Sequence, residues 1–269
     1  MQPNINKKPK LVVVSGAGLS ASAGIATYTD TVAGSGLWSI HKMESICVKG
    51  NEFSDESIDF YNNFHALEAA VKPSSVHALF ARLQSQYGTD RVKLHTQNID
   101  TLLERAGCEA VHHVHGNISE HKCANCGTVI SSEQKVGMMF PRSSEQKVGM
   151  MFPRSSEQKV GMITRNLGKK CCPEQRMRRN VVFYGERGYY AKMVDDLLDL
   201  EPQDVFMLIG TSCKAINADM YVRSLTCRKI YVNLAIEKEV KIEKYEKVVL
   251  GKAEDNLEEI EAFVLQVLQ

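Results

Sequence analysis

The sequence predicts an α/β fold: a Rossmann-like parallel sheet carrying an inserted helical module and a small cysteine module. Three observations predict it. Short runs rich in β-branched residues, bounded by glycine or polar residues, recur along the chain. Segments of helical periodicity separate several of them. A glycine-rich turn directly follows the first run. Strands that alternate with helices build a parallel sheet covered by helices on both faces.

In chain order, the expected strands are Lys10–Ser15, Arg91–His95, Ala110–His115, Asn180–Tyr184, Asp204–Ile209, Lys229–Asn233 and Lys247–Leu250. A helix is expected after Ser74 and Ser75, which suit an N-cap. Val76, Leu79, Phe80 and Leu83 then fall on one face, and Gly88 stands just past the pattern. A last helix is expected from near Asp255, with Leu257, Ile260, Val264 and Leu268 on one face.

The residues that follow these strands share a chemistry. The first strand runs into GAGLSASAG, the second into TQNID, and the third stops at Gly116. The strand ending at Ile209 is followed by Gly210, Thr211 and Ser212, and the next ends in Asn233. In an open parallel sheet, ligands bind beyond the carboxyl ends of the strands. Five ends carrying small, amide, hydroxyl and imidazole groups therefore mark a site for a polar ligand. Gly16, Gly18 and Ala21 fit the G-x-G-x-x-A spacing, which lets a backbone approach a diphosphate beside a helix N-terminus. No lysine follows in Walker-A spacing, which argues against a nucleoside triphosphatase; a dinucleotide is the expected ligand.

Composition narrows the partners. The chain is 43% apolar and 24% charged, with a net charge of +1, so nothing draws it to nucleic acid or to an anionic membrane. No apolar run approaches the ~18 residues of a membrane span. The first residues lack the apolar core of a signal peptide. A cytoplasmic protein is expected, with its eight cysteines reduced as buried thiols or metal ligands.

At this point the chain resembles the sirtuin family of NAD-consuming protein lysine deacylases, and bacterial-type members in particular. GAGLSASAGIATYTD looks like the family's cofactor loop, TQNIDTLLERAG its hallmark segment, and VHHVHG the strand bearing its catalytic histidine. CANCG resembles half of the zinc module, RRNVVFYGE the approach to the substrate channel, and IGTS and VNLA later cofactor contacts. The resemblance implies that His115 is a general base on a ribose hydroxyl of NAD, with Asn98 and Asp100 as its catalytic companions. It implies that Gly16, Ala17, Gly18, Ala21, Gln97, Asn98, Ile99, Asp100, Gly210, Thr211, Ser212 and Asn233 hold NAD. It further implies that an acyl-lysine peptide binds near Phe183–Glu186, that the acyl group passes to ADP-ribose, and that nicotinamide is released.

Two departures bear on chemistry. Where the family has SGIP-x-FR, this chain has AGIATYT, so that Ala23, Ala26, Tyr28 and Thr29 stand in for serine, proline, phenylalanine and arginine. That change keeps a second reading open: an NAD glycohydrolase or ADP-ribosyltransferase on the same fold. In the helical insertion, relatives that remove acidic acyl groups carry Tyr-x-x-Arg. Here Tyr61 is present and Phe64 replaces the arginine, so neutral acyl groups such as acetyl are expected.

Cys123 and Cys126 form a C-x-x-C pair suited to one side of a tetrahedral zinc site. The other side would come from the adjacent Cys171 and Cys172, which can share an ion only if the backbone bends, or from His121. Between the two groups, the twelve residues Ser131–Arg142 recur unchanged at Ser143–Arg154 and begin again at Ser155. Deleting two copies leaves about 20 residues, close to the usual ~15–20 between zinc cysteine pairs. The repeat thus reads as an expansion in a tolerant loop, either a recent duplication or an error of sequence assembly, with low order expected over 127–170 and no catalytic role. The expected division is a discontinuous dinucleotide-binding domain (1–30, 87–118 and 180–269), a cofactor loop with helical insertion (31–86) and a zinc-type module (119–179).

Overall fold

The computed structural model describes residues 7–27, 46–131, 171–173 and 176–269. Tyr28 and Thr29, and the repeat beyond Ser131, lie outside the described residues.

Six strands form one parallel sheet. They are β1 (Leu11–Ser15), β2 (Val92–Thr96), β3 (Val111–His113), β7 (Val205–Ile209), β8 (Arg228–Asn233) and β9 (Lys247–Leu250), in the order β3-β2-β1-β7-β8-β9. The chain builds outward from β1 in one direction and later from β7 in the other. The order therefore reverses between β1 and β7, and that switch opens a crevice above their carboxyl ends. β1 and β7 are buried at every position, as central parallel strands must be when helices cover both faces.

The face carrying Leu11 and Val13 packs on α3 (Ser75–Tyr87) and α7 (Leu257–Leu268), through Val76, Leu79, Phe80 and Leu83 and through Ile260, Val264 and Leu268. The opposite face, with Val12 and Val14, packs on α5 (Ala191–Leu198) and α6 (Asp219–Val222). The helical face expected for 76–83 is the observed one, and α3 ends against Gly88. α7 starts two residues later than expected, because Asp255 lies in a turn whose amide donates to the Lys252 carbonyl.

One strand lies elsewhere than the alternation suggests. Asn180–Tyr184 was expected in the parallel sheet. The observed strand, β6 (Met177–Val181), instead pairs antiparallel with β4 (Gly116–Cys123) in a three-stranded sheet of order β5-β4-β6. The third member, β5 (Val129–Ser131), falls within the stretch expected to have low order, so its first residues are ordered by pairing with β4. This small sheet packs through Ile118, Val181 and Phe183 against Phe60, Tyr61 and Phe64 of α2 (Asp55–Ala70). No helix of the described residues is long and apolar enough to cross a membrane.

Candidate active site

The strand ends meet because short loops carry their polar groups back over the switch point. α1 (Ala17–Ala21) starts at once after β1. The Gly16 amide donates to the Ile209 carbonyl and the Gly18 amide to the Gly210 carbonyl, at 3.0 and 2.8 Å. A Cβ on Gly18 would lie 2.8 Å from the Gly210 Cα, and Gly210 has φ +61°. The glycines are thus required first for the close approach of two backbones. The amides of Gly16 and Gly18, expected to face a diphosphate, are engaged within the protein.

The segment Gln97–Asp100 bridges the crevice. Gln97 Nε2 donates to Thr211 Oγ1 at 3.0 Å. Asn98 Nδ2 donates to the Gly16 carbonyl (3.1 Å) and to Ser20 Oγ (2.9 Å), and Ser20 Oγ in turn donates to Asp100 Oδ2 (2.8 Å). Asn233 Nδ2 donates to the Thr211 carbonyl at 3.0 Å. Gly16, Gly18, Gln97, Asn98, Asp100, Gly210, Thr211 and Asn233 therefore form one connected rim. Ala17 and Ala21 bound α1, and Ser212 lies between Thr211 and Cys213 in the turn after β7. Ile99 turns away and packs against the core shared with α2.

His115 stands two residues past β3, in a turn that Gly116 permits. Gly116 has φ +83°, and a Cβ there would sit 2.0 Å from the Asn180 carbonyl oxygen. The His115 carbonyl accepts from the Val182 amide, and its Nδ1 is 2.8 Å from the Gln97 carbonyl oxygen. A carbonyl only accepts, so Nδ1 carries the proton and the neutral ring keeps its lone pair on Nε2. Burial holds the imidazole below its ordinary pKa, against the opposing pull of the Gln97 carbonyl. The ring is therefore neutral at pH 7 and able to accept a proton.

Asp100 is buried, and burial raises its carboxyl to about 6, while hydrogen bonds from Ser20 Oγ and the Leu102 amide pull the other way. Sequence reasoning named Asp100 and Asn98 but missed Ser20, the hydroxyl that links them. Its signal was available: a small hydroxyl four residues after the first glycine of the turn. His113 ends β3, two residues before His115. Its Nδ1 lies 2.8 Å from the Asn98 carbonyl oxygen and its Nε2 2.7 Å from Glu104 Oε1.

In the small sheet, Cys123, Cys126, Cys171 and Cys172 place their sulfurs within 4.8 Å of one another. Individual spacings are 3.7 Å (Cys123–Cys172), 3.5 Å (Cys126–Cys171) and 4.0 Å (Cys171–Cys172). A tetrahedral zinc with bonds of about 2.3 Å separates its sulfurs by about 3.8 Å, so this donor set fits the ion. The adjacent pair converges because the chain bends at Cys171 and Cys172. His121 lies on β4 outside this group. Burial opposes ionisation of Cys123, yet amides of Cys126, Arg176 and Asn125 lower its thiol to about 6, as a metal ligand requires.

A doubly covered parallel sheet with a polar rim at its switch point defines an open α/β protein of dinucleotide-binding architecture. The Sir2 family model matches residues 16–217, and the chain belongs to the Sir2 family. It is 30% identical, over 75% of its length and 72% of the relative's, to the NAD-dependent protein deacylase SIR2rp3 of Trypanosoma brucei brucei. It is 28% identical, over 87% of its length and 86% of the relative's, to an NAD-dependent protein deacylase of Campylobacter jejuni. Among solved structures, a Sir2 homolog–NAD complex superposes with a TM-score of 0.67 at 23% identity, covering 97% of this chain and 91% of the other. Sir2 in complex with 2′-O-acetyl-ADP-ribose and a deacetylated peptide superposes at 0.62 with 20% identity, covering 95% and 94%.

Proposed function

We propose that this protein is an NAD-dependent protein lysine deacylase that consumes NAD and releases nicotinamide and O-acyl-ADP-ribose. One observation carries the reading: a neutral imidazole, His115, has its proton fixed on Nδ1 by Gln97 and stands beside the segment bearing Asn98 and Asp100. NAD is the co-substrate, held along the rim from Gly16 to Asn233. The acyl oxygen of the modified lysine attacks the ribose as nicotinamide leaves. His115 Nε2 then takes the proton of a ribose hydroxyl, that oxygen adds to the acyl carbon, the lysine amine leaves with a proton, and a water molecule adds to the remaining acyl–ribose cation to give O-acyl-ADP-ribose. The four cysteines hold a structural zinc, distant in role from the chemistry.

The acyl pocket favours neutral groups. Tyr61 and Phe64 are buried in an apolar cluster with Ile25, Ile46 and Phe183, and the Tyr61 hydroxyl is 3.0 Å from Cys47 Sγ. Neither supplies a cation for an acidic acyl chain. The protein works in the cytoplasm, and its chain divides into the sheet domain, the helical insertion and the zinc-type module near the boundaries expected above, the last extended through Val181 to take in all of β6.

Mass spectrometry of the products formed from NAD and an acetyl-lysine peptide tests the reading. Wild type should yield nicotinamide, free lysine and O-acetyl-ADP-ribose in equal amounts, and His115→Ala should yield free lysine and O-acetyl-ADP-ribose roughly 10²–10⁴-fold more slowly. Nicotinamide release without deacylation would replace this reading with the glycohydrolase.

A further inference from the structure

The two histidines at the end of β3 do matching mechanical work and opposite electrostatic work. His113 and His115 face the same loop, and their Nδ1 atoms take successive carbonyls, Asn98 and Gln97, each at 2.8 Å. His113 differs in its second nitrogen, which meets Glu104 Oε1 of α4 (Leu102–Arg105) at 2.7 Å. A carbonyl and an ionised carboxylate both only accept, so this ring must carry a proton on each nitrogen to satisfy both. The His113 side chain is 8% exposed, and Glu104 Oε2 is buried with no hydrogen-bond partner, so the imidazolium is the carboxylate's main compensation. Losing the Glu104 charge strands a buried imidazolium, whereas Glu104, with 35% of its side chain exposed, keeps part of its hydration when His113 is neutral.

We propose that His113 and Glu104 are a positioning pair that holds the Gln97–Asp100 segment in the shape that receives NAD, with His113 protonated on both nitrogens to satisfy its two acceptors. His113 touches no reacting atom. It acts through Asn98, whose carbonyl it holds and whose amide spans Gly16 and Ser20, and its charge favours the ionised form of Asp100. The inference rests on the NAD-dependent reading of this rim.

The charges around His113 agree. Burial opposes its charge, but Glu104 from α4, the Asn98 carbonyl and Asp100 from the loop outweigh burial and hold it above its ordinary pKa. Its strand neighbour His112 is held below its ordinary value, by burial first and then by Lys192 and His113. Glu68 of α2 reaches the same loop at Thr101 and lies near Asp100. The sign follows: the clamp is complete below the raised His113 value and fails as pH climbs through it, when the Nε2 lone pair would face the Glu104 carboxylate.

The test combines kinetics with a measurement on the ligand-free protein. Glu104→Gln keeps an acceptor opposite His113 and removes only the charge. It should move the alkaline limb of kcat/KM for NAD to lower pH. His113→Gln should raise KM for NAD roughly tenfold, the scale of one charge-assisted hydrogen bond, with a smaller effect on kcat. The double variant should be no worse than His113→Gln alone. Nitrogen NMR of the free protein should find both His113 nitrogens protonated at pH 7 and lose one of those protons more readily in Glu104→Gln. Unchanged KM and an unmoved alkaline limb in active variants, or a singly protonated His113 in wild type, overturns the inference. An inactive wild type that still shows the doubly protonated ring overturns the NAD-dependent reading instead.

Discussion

The rim of the parallel sheet and the cysteine cluster of the small sheet are both polar assemblies drawn from distant parts of the chain. They are held in different ways. At the rim each group finds its complement inside the protein: Gln97 on Thr211, Asn98 on Gly16 and Ser20, Ser20 on Asp100, Asn233 on Thr211. In the cluster the four thiols have chiefly one another. Burial among the sulfurs raises Cys171 and Cys172, while amide donors lower Cys123. Four ligands so close cannot all ionise unless a cation joins them. The rim is completed by groups of the protein alone; the cluster is a donor set that a zinc ion would complete.

Metal removal should separate the two regions most sharply. Structural zinc contributes roughly 10–16 kcal/mol in small zinc peptides. A chelator should abolish amide-exchange protection in β4, β5 and β6 and leave β1, β2, β7 and β8 protected. Equal protection in both sheets after complete metal loss would erase the distinction. Next in size is His115→Ala. It should lower turnover by roughly 10²–10⁴-fold, with the unfolding midpoint near that of wild type, because His115 is a half-buried residue on a turn whose backbone bonds persist.

Gly210→Ala tests the rim's organisation without touching a reactive group. The new Cβ would sit 2.5 Å from the Leu19 amide nitrogen, at φ +61°. A loss of about 1–3 kcal/mol is expected in denaturant unfolding, and the cysteine region should keep its metal. A smaller loss would mean that the two turns relax apart more easily than their contacts imply.

The same contrast explains what was legible in the sequence. The rim was readable because each polar group directly follows a strand, and strands of the β-branched type announce themselves locally. The physical reason for Gly18 was not readable, since it depends on Gly210, far along the chain. Ser20 and the His113–Glu104 pair escaped for a like reason: a partner's identity is set by how α1, β3 and α4 pack. The placement of β6 failed because Asn-Val-Val-Phe-Tyr suits either sheet. Pairing with β4, across the residues that separate the two cysteine groups, decides the matter. The Cys171–Cys172 pair looked poor on paper because extended neighbours point apart, and a local bend removes the objection.

The smallest effect concerns Asp100, where the rim's self-sufficiency has a cost. Its carboxyl is raised by burial to about 6, from an ordinary value near 3.8. A raised carboxylate favours the folded state while protonated. Its contribution is complete below the unfolded value and is lost as pH rises through about 6. The shift sets an upper bound of roughly 3 kcal/mol. Asp100→Asn keeps one oxygen, for the Leu102 amide, and turns an amide N–H toward Ser20 Oγ, which can accept it, so about 1 kcal/mol of added stability at pH 7 is the expected net gain. Urea titrations at pH 4 and pH 7 should show the wild type losing stability between them relative to this variant, while NAD-dependent turnover of the variant collapses. If the two proteins keep parallel pH profiles, Asp100 is hydrated in solution, and the rim is less closed to water than its hydrogen bonds indicate.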